Sequence, residues 1–415
     1  MLHLFRPVAG LLASTLLLLT GIGLIGVLLP VRASLEGWSP VVIGWIGFGY
    51  ALCFTAGCIV VPRLVLRVGH VRVYGVLASI LAMSALLHAL LVIPVAWIMF
   101  RGLAGFALAG TYMIVESWIN EKTSNEDRGK MYSIYMVTTM IGVMAGQFLL
   151  VSADPATTSL FMLAALLFAA AVIPTGLSNA SSPKPLTEVS LNLSKLYRNS
   201  PLAFIGIVLT GVTFGAYMFQ APVYLQLSGF GEAKIATAMA AAMVGGMVFQ
   251  FPLGRISDRT DRRRVIVVVS FAGLVLSVAI ATSTGISFTA LIGLMVLFGG
   301  VLMPLYSIVT AHANDHADPD EFVEISSGLL ILYGAGSMAG PVIAGGFMAI
   351  MGPTGFFVMM AVSYLIFALY AAWRISRRPG VPQDEMTEFT YSPPVSSALT
   401  PEAIQLDPRA DEAAS

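Results

Sequence analysis

Gly254-Arg255-Ile256-Ser257-Asp258-Arg259-Thr260-Asp261-Arg262-Arg263-Arg264 is a short charged stretch between two long apolar runs, and its reading decides the fold. Five arginines in eleven residues cannot stay in hydrocarbon, and an excess of Lys and Arg marks the loops that remain on the cytoplasmic side of a membrane. Gly254 is expected to let the backbone turn tightly, with Asp258 at the end of a helix. The stretch therefore reads as a cytoplasmic connection between two spanning helices.

The rest of the chain fits that reading. Of its 415 residues 57% are hydrophobic and 11% charged, with a mean hydropathy of +0.86, which excludes an ordinary soluble domain. The lipid bilayer is the expected surround. The formal net charge is zero, and no nucleic-acid partner is implied. Cys53 and Cys58 lie in one apolar segment and read as reduced packing residues, not as a disulfide or metal pair. Arg6 followed by an apolar run from Val8 to Leu29 imitates a signal peptide, but the run is too long and reads as a first membrane helix.

Crossing a core of about 30 Å takes ~20 residues. Twelve segments qualify, at 8–30, 40–62, 72–93, 95–117, 130–151, 158–178, 202–224, 235–253, 265–284, 287–311, 324–350 and 354–374. With both termini cytoplasmic, only Arg32 and Lys234 fall outside and Arg101 within a helix, which leaves nineteen of the 22 Lys and Arg inside. The organisation expected is an N-terminal six-helix bundle (1–178), a polar cytoplasmic connector (179–201), a C-terminal six-helix bundle (202–374) and a cytoplasmic tail (375–415). The tail is rich in Pro, Glu, Ser and Thr and is expected to be disordered.

An internal repeat supports the division. At an offset of 192, Gly23, Pro30, Leu35 and Gly37 fall on Gly215, Pro222, Leu227 and Gly229, and Arg63, Arg67 and Arg72 on Arg255, Arg259 and Arg264. At an offset of 194, Tyr112, Asn120, Gly142 and Gly146 fall on Tyr306, Asn314, Gly336 and Gly340. Six helices per half give two parallel repeats about an axis along the membrane normal. The fold class expected is all-α, with twelve transmembrane helices in two pseudo-symmetric bundles.

The opening stretch resembles the loop signature of the major facilitator superfamily, Gly-x-Leu-x-Asp-Arg-x-Gly-Arg-Arg. Gly254, Asp258, Arg259, Arg262 and Arg263 match it, while Ile256 and Asp261 depart from it. The first-half copy, Pro62-Arg63-Leu64-Val65-Leu66-Arg67-Val68-Gly69-His70-Val71-Arg72, has Leu66 where the family has its acid. The resemblance implies that Asp258, near a helix N-terminus and bonded to arginine, closes the cytoplasmic side. The plainer reading is that both loops only anchor the chain by charge. Arg101-Gly-Leu-Ala-Gly105 resembles the family's fourth-helix motif with Ala104 in place of Gln, which implies proton coupling or anion contact for Arg101. The alternative is an arginine that snorkels to the outer interface.

Glu116 is the one acid clearly associated with the first-half helices. It reads either as a group that titrates during transport or as a latch to Arg67 or Arg128. The candidate cytoplasmic gate is thus Arg67, Gly69, Glu116, Arg128, Gly254, Asp258, Arg259, Arg262 and Arg263, and the coupling candidates are Arg101 and Glu116. Gly142 with Gly146 and Gly336 with Gly340 repeat at i and i+4, the spacing that lets helices approach closely. Tyr112, Tyr217, Gln220, Tyr224, Gln250 and Tyr306 suit a cavity for an amphipathic molecule, although such residues are also ordinary packing material. His312 and His316 have metal spacing but no further ligand pattern, so no metal is assigned. Asp315, Asp318, Asp320 and Glu321 are expected to solvate their loop, cap the eleventh spanning helix and face the basic stretch around Arg262. No Gly-rich phosphate loop ending in Lys-Ser or Lys-Thr occurs, and no nucleophile and base cluster by spacing.

Within the superfamily, Val115-Glu-Ser-Trp118, Arg128-Gly129, Gly146-Gln147 and the Leu406-Asp-Pro-Arg409 ending resemble the YcaD-like branch. The expected function is secondary transport by alternating access across the bacterial inner membrane. Proton-coupled export of a small amphipathic compound leads, uptake of a neutral or anionic metabolite is the alternative, and a non-transporting receptor or scaffold is the reading of another class. A monomer without cofactor or enzymatic activity is expected, with a small-molecule substrate and a proton or other ion as partners.

Overall fold

The computed structural model describes residues 2–123, 128–176, 193–283, 285–317, 322–377, 381, 382, 386 and 389. Among them there is no strand. The helices are α1 (Leu2–Leu35), α2 (Pro40–Val68), α3 (His70–Leu90), α4 (Pro94–Lys122), α5 (Arg128–Phe148), α6 (Ser159–Ala170) and α7 (Val172–Gly176). After the short α8 (Leu193–Asn199) come α9 (Pro201–Leu227), α10 (Glu232–Arg259), α11 (Arg262–Thr282), α12 (Phe288–Leu302), α13 (Pro304–Asn314), α14 (Phe322–Met351) and α15 (Gly355–Ile375). With α6–α7 and α12–α13 each forming one span, twelve helices are long and apolar enough to cross a membrane. This is the expected fold class.

The bounds differ from those read in the sequence chiefly at the basic ends. α2 and α10 run past the expected 62 and 253 to Val68 and Arg259. Hydropathy marks where a chain leaves hydrocarbon, whereas a helix continues while its backbone bonds and propensities favour it, and Leu and Arg are good helix formers. The charged stretch of the second half is therefore helix through Arg259, and the connection is only Thr260 and Asp261. Gly254 does not turn the chain: it is a buried helical residue, which corrects the reading of it as a hinge. In the first-half copy the turn does use a glycine, Gly69, at φ +91°. Its counterpart Asp261 turns at φ −57° and caps α11 by accepting from the Arg263 amide at 3.0 Å.

The described residues form two compact units. One holds 2–36 and 46–176, the other 37–45 and 193–389. In the first unit α1 lies on α5 and α3 on α6; in the second α9 lies on α14 and α11 on α15, the same pairings one repeat later. Missing Cβ atoms make the closest crossings. A Cβ at Gly146 would overlap Thr20 O, and one at Gly23 would overlap Val143 O. In the second unit the same holds for Gly336 against Val208 O and Gly340 against Val212 O. Lipid tails supply no hydrophobic drive between helices, so backbone-to-backbone packing of this kind carries association.

Candidate functional site

α4 carries one line of candidates. Arg101, Tyr112 and Glu116 are separated by 11 and 4 residues, which places all three toward one side of the helix. All three are buried, at 4%, 2% and 0% exposure. Burial of an ionised group in hydrocarbon costs several kcal/mol unless it is paired or hydrogen-bonded, so their surroundings decide what they can do. The Arg101 guanidinium carbon stands 4.4 Å from the Tyr50 ring centroid on α2, a cation–π contact inside the bundle. It therefore does not snorkel to an interface. Glu116 Oε1 accepts from Tyr135 Oη on α5 at 2.8 Å. Arg67 is exposed at the end of α2, while the side chain of Arg128 and residue Gly129 lie outside the described side chains.

Sequence reading passed over His88. It is 1% exposed on α3 and lines a small cavity with Ser84, Arg101 and Phe168. Its Nδ1 lies 2.6 Å from Ser84 O, which holds Nδ1 as the donor. The rings of Trp97 and Phe100 surround it at 5.2 and 5.6 Å. Nothing in local sequence separates this histidine from a core residue; only the approach of α3 to α4 puts it in Arg101's cavity.

The second cluster is the basic end of the second unit. Arg262, at the start of α11, is 1% exposed. Its Nε donates to Asp315 Oδ2 at 2.7 Å, its Nη1 to Ser257 Oγ at 2.8 Å, and the Asp258 carboxylate lies 3.1 Å away. Arg263 bonds Asp261 through Nη2 at 2.6 Å. Burial raises the Asp261 carboxyl and the Arg263 bonds lower it further, so it ends below the usual carboxylate value. Asp258 Oδ1 also accepts from the Phe389 amide at 3.1 Å. Arg259 is exposed.

Asp315 does face Arg262, but as a buried partner and not as a solvated loop acid. The repeat contained the signal, since Asp315 falls on Glu121 at the offset of 194 and Arg262 on His70 at the offset of 192. At the corresponding places in the first unit, His70 lies 6.1 Å from the Trp118 ring and Glu121 is exposed. Asp318, Asp320 and Glu321 lie outside the described residues.

The cavity candidates of the second half are engaged within their own unit. Gln220 Nε2 donates to Pro40 O at 2.8 Å and Pro341 O at 3.0 Å. Gln250 Nε2 donates to Ser307 Oγ at 2.7 Å. Tyr306 packs edge-on against Tyr333 at 5.0 Å and Tyr224 against Phe357 at 4.9 Å, while Tyr217 Oη reaches Met239 O at 3.4 Å. His312 and His316 meet edge to face at 4.7 Å, and no group of three or more metal-ligating side chains occurs among the described residues.

These features have parallels. The sequence profile of the Major Facilitator Superfamily matches residues 11–330 and 235–400. The uncharacterized MFS-type transporter YcaD of Escherichia fergusonii is 25% identical over 366 residues, covering 88% of this chain and 94% of that protein. YcaD of Salmonella typhi is 24% identical over 379 residues, covering 90% and 97%. Among solved structures, the nucleoside transporter NupG superposes with a TM-score of 0.75 at 14% identity over 89% of this chain and 97% of that one. A bacterial homolog of the human lysosomal transporter Spinster, in an inward-facing and occupied conformation, gives 0.70 at 12% identity over 92% and 97%. At such identities the two structures speak for the fold alone.

Proposed function

We propose, from the premise that this chain belongs to the major facilitator superfamily and is accordingly a secondary transporter and not an enzyme, that it exports a small amphipathic compound across the bacterial inner membrane in exchange for protons. It works by alternating access, with halves at 1–178 and 202–374 and with the basic ends and both termini in the cytoplasm. No phosphate loop is present in the sequence, so an ion gradient supplies the work.

The observation that carries proton coupling is the Glu116–Tyr135 bond at 0% exposure of the carboxylate. A buried carboxylate beside a phenol is held in either protonation state: ionised it accepts from Tyr135, and protonated it keeps a hydrogen-bond partner. Exchange of that proton as access alternates makes Glu116 the coupling group. Arg101 keeps its charge throughout and serves as the fixed cation of the same helix. A cavity with one permanent cation favours neutral or anionic molecules, which also suits the second reading, uptake of a small metabolite.

Proteoliposomes loaded with a pH-sensitive dye and challenged with pools of amphipathic compounds test this. Compound-dependent proton movement that is present in the parent chain and lost in Glu116→Gln is the expected result. Compound flux at equal initial rates with and without an imposed pH gradient would remove proton coupling and leave the transporter.

A further inference from the structure

Gly254 sits inside α10 and turns nothing, so what its missing side chain provides is space. That space is filled by Phe389. A Cβ at Gly254 would overlap the Phe389 ring, and one turn further along the same helix Asp258 Oδ1 accepts from the Phe389 amide at 3.1 Å. Residues four apart lie on one face of a helix, so ring and amide of a single residue engage α10 at two successive points.

We infer that the Gly254–Asp258 face of α10 is a docking site for the chain's own Phe389, and that docking withholds Oδ1 of Asp258 from other hydrogen-bond donors. The specificity is chemical. The site wants a flat apolar ring where a side chain is absent and an N–H where a carboxylate points outward. The first-half copy lacks both features, because the repeat puts Pro62 at the place of Gly254 and Leu66, whose side chain accepts no hydrogen bond, at the place of Asp258. Leu66 is 58% exposed. The inequality between the two copies of the charged stretch is thereby explained by what the second copy binds.

Oδ1 of Asp258 already faces Arg262 at 3.1 Å, so the Phe389 amide is a second donor on that one oxygen. The consequence for transport rests on the reading of Asp258 as part of the cytoplasmic closure. A docked Phe389 occupies one of the two oxygens that closure could use, and so lowers the capacity of Asp258 for a closing donor. The docking itself does not depend on that reading.

The test places 4-fluorophenylalanine at position 389 of the full chain in lipid nanodiscs and reads its fluorine resonance. A resonance displaced from that of the urea-unfolded chain, returning to it in Gly254→Ala and moving toward it in Asp258→Asn, is expected. A resonance at the unfolded position in the parent, or one unmoved by Gly254→Ala, overturns the docking. Mass spectrometry of carbodiimide-driven amidation then reads Asp258 directly. Phe389→Ala should raise its rate several-fold, and an unchanged rate with the ring shown to be docked in the parent overturns the withholding of Asp258 while leaving the docking in place.

Discussion

Arg262 and Asp315 are 53 residues apart in sequence and form an ion pair of 2.7 Å in which each side chain is 1% exposed. The pair ties the start of α11 to the end of α13. Because both charges are out of water, their mutual attraction offsets a desolvation cost that neither could carry alone. Asp315→Ala leaves the buried guanidinium its contacts with Asp258 and Ser257 but not this carboxylate, and a loss of up to about 3–5 kcal/mol is expected. Arg262→Met combined with Asp315→Leu should recover most of it. Thermal melting of the purified variants in detergent checks this, and equal losses in the single and double variants would show that the pair is not the cause.

Glu116→Gln retains an acceptor for Tyr135 and loses the negative charge and the ability to carry a proton. It should melt within about 1 kcal/mol of the parent while proton-driven flux disappears. Tyr135→Phe leaves the carboxylate without its phenol donor and should cost about 1–3 kcal/mol. A Glu116→Gln chain with undiminished proton-driven flux would assign coupling to another group, with His88 beside Arg101 the next to substitute.

At the charged stretch, Asp258→Asn is expected to weaken closure of the cytoplasmic side, whereas Leu66→Ala affects mainly packing. Labelling rates of single cysteines placed at the two ends of the helices measure this as opposite changes on the two sides. Comparable shifts for both variants would show that the charge at 258 is not the lock.

Gly146→Leu and Gly340→Leu push side chains into backbone carbonyls of α1 and α9, which no rotamer change relieves. Losses at or above the ~1–3 kcal/mol of ordinary overpacking are expected. Gly75, inside α3, has nothing within 4 Å of the position of a Cβ. Gly75→Ala should accordingly be neutral or stabilise by about 0.5–1 kcal/mol through backbone entropy.

Asp261 gives a pH dependence with a definite sign. Its folded carboxyl lies below the ordinary 3.8, so the stability it contributes is fully present above that value and is lost as pH falls through the lower folded one. Melting temperature below about pH 4 should fall more steeply in the parent than in Asp261→Asn. Parallel curves would mean that the Arg263 bonds do not persist in solution.

The twelve spans and the repeat were legible because bilayer thickness imposes a length on every helix and charge is concentrated at the ends. Those constraints act locally, so a window of about 20 residues contains them. The same reading misjudged the charged stretch as a hinge, since leaving hydrocarbon and ending a helix are different events, and α10 continues to Arg259. It found Glu116 and Arg101 as unusual residue types in apolar segments and missed His88, whose neighbourhood comes from α4 and α6.

What the sequence determined by itself was the architecture and the inventory of charged groups that it must accommodate. Only the tertiary structure decided which of them are partners: Glu116 with Tyr135, Arg262 with Asp315, and Gly254 and Asp258 with Phe389. The physical reason is that a span's length and polarity are properties of its own residues, whereas a buried charge takes whichever donor or acceptor the packing of distant helices brings within about 3 Å.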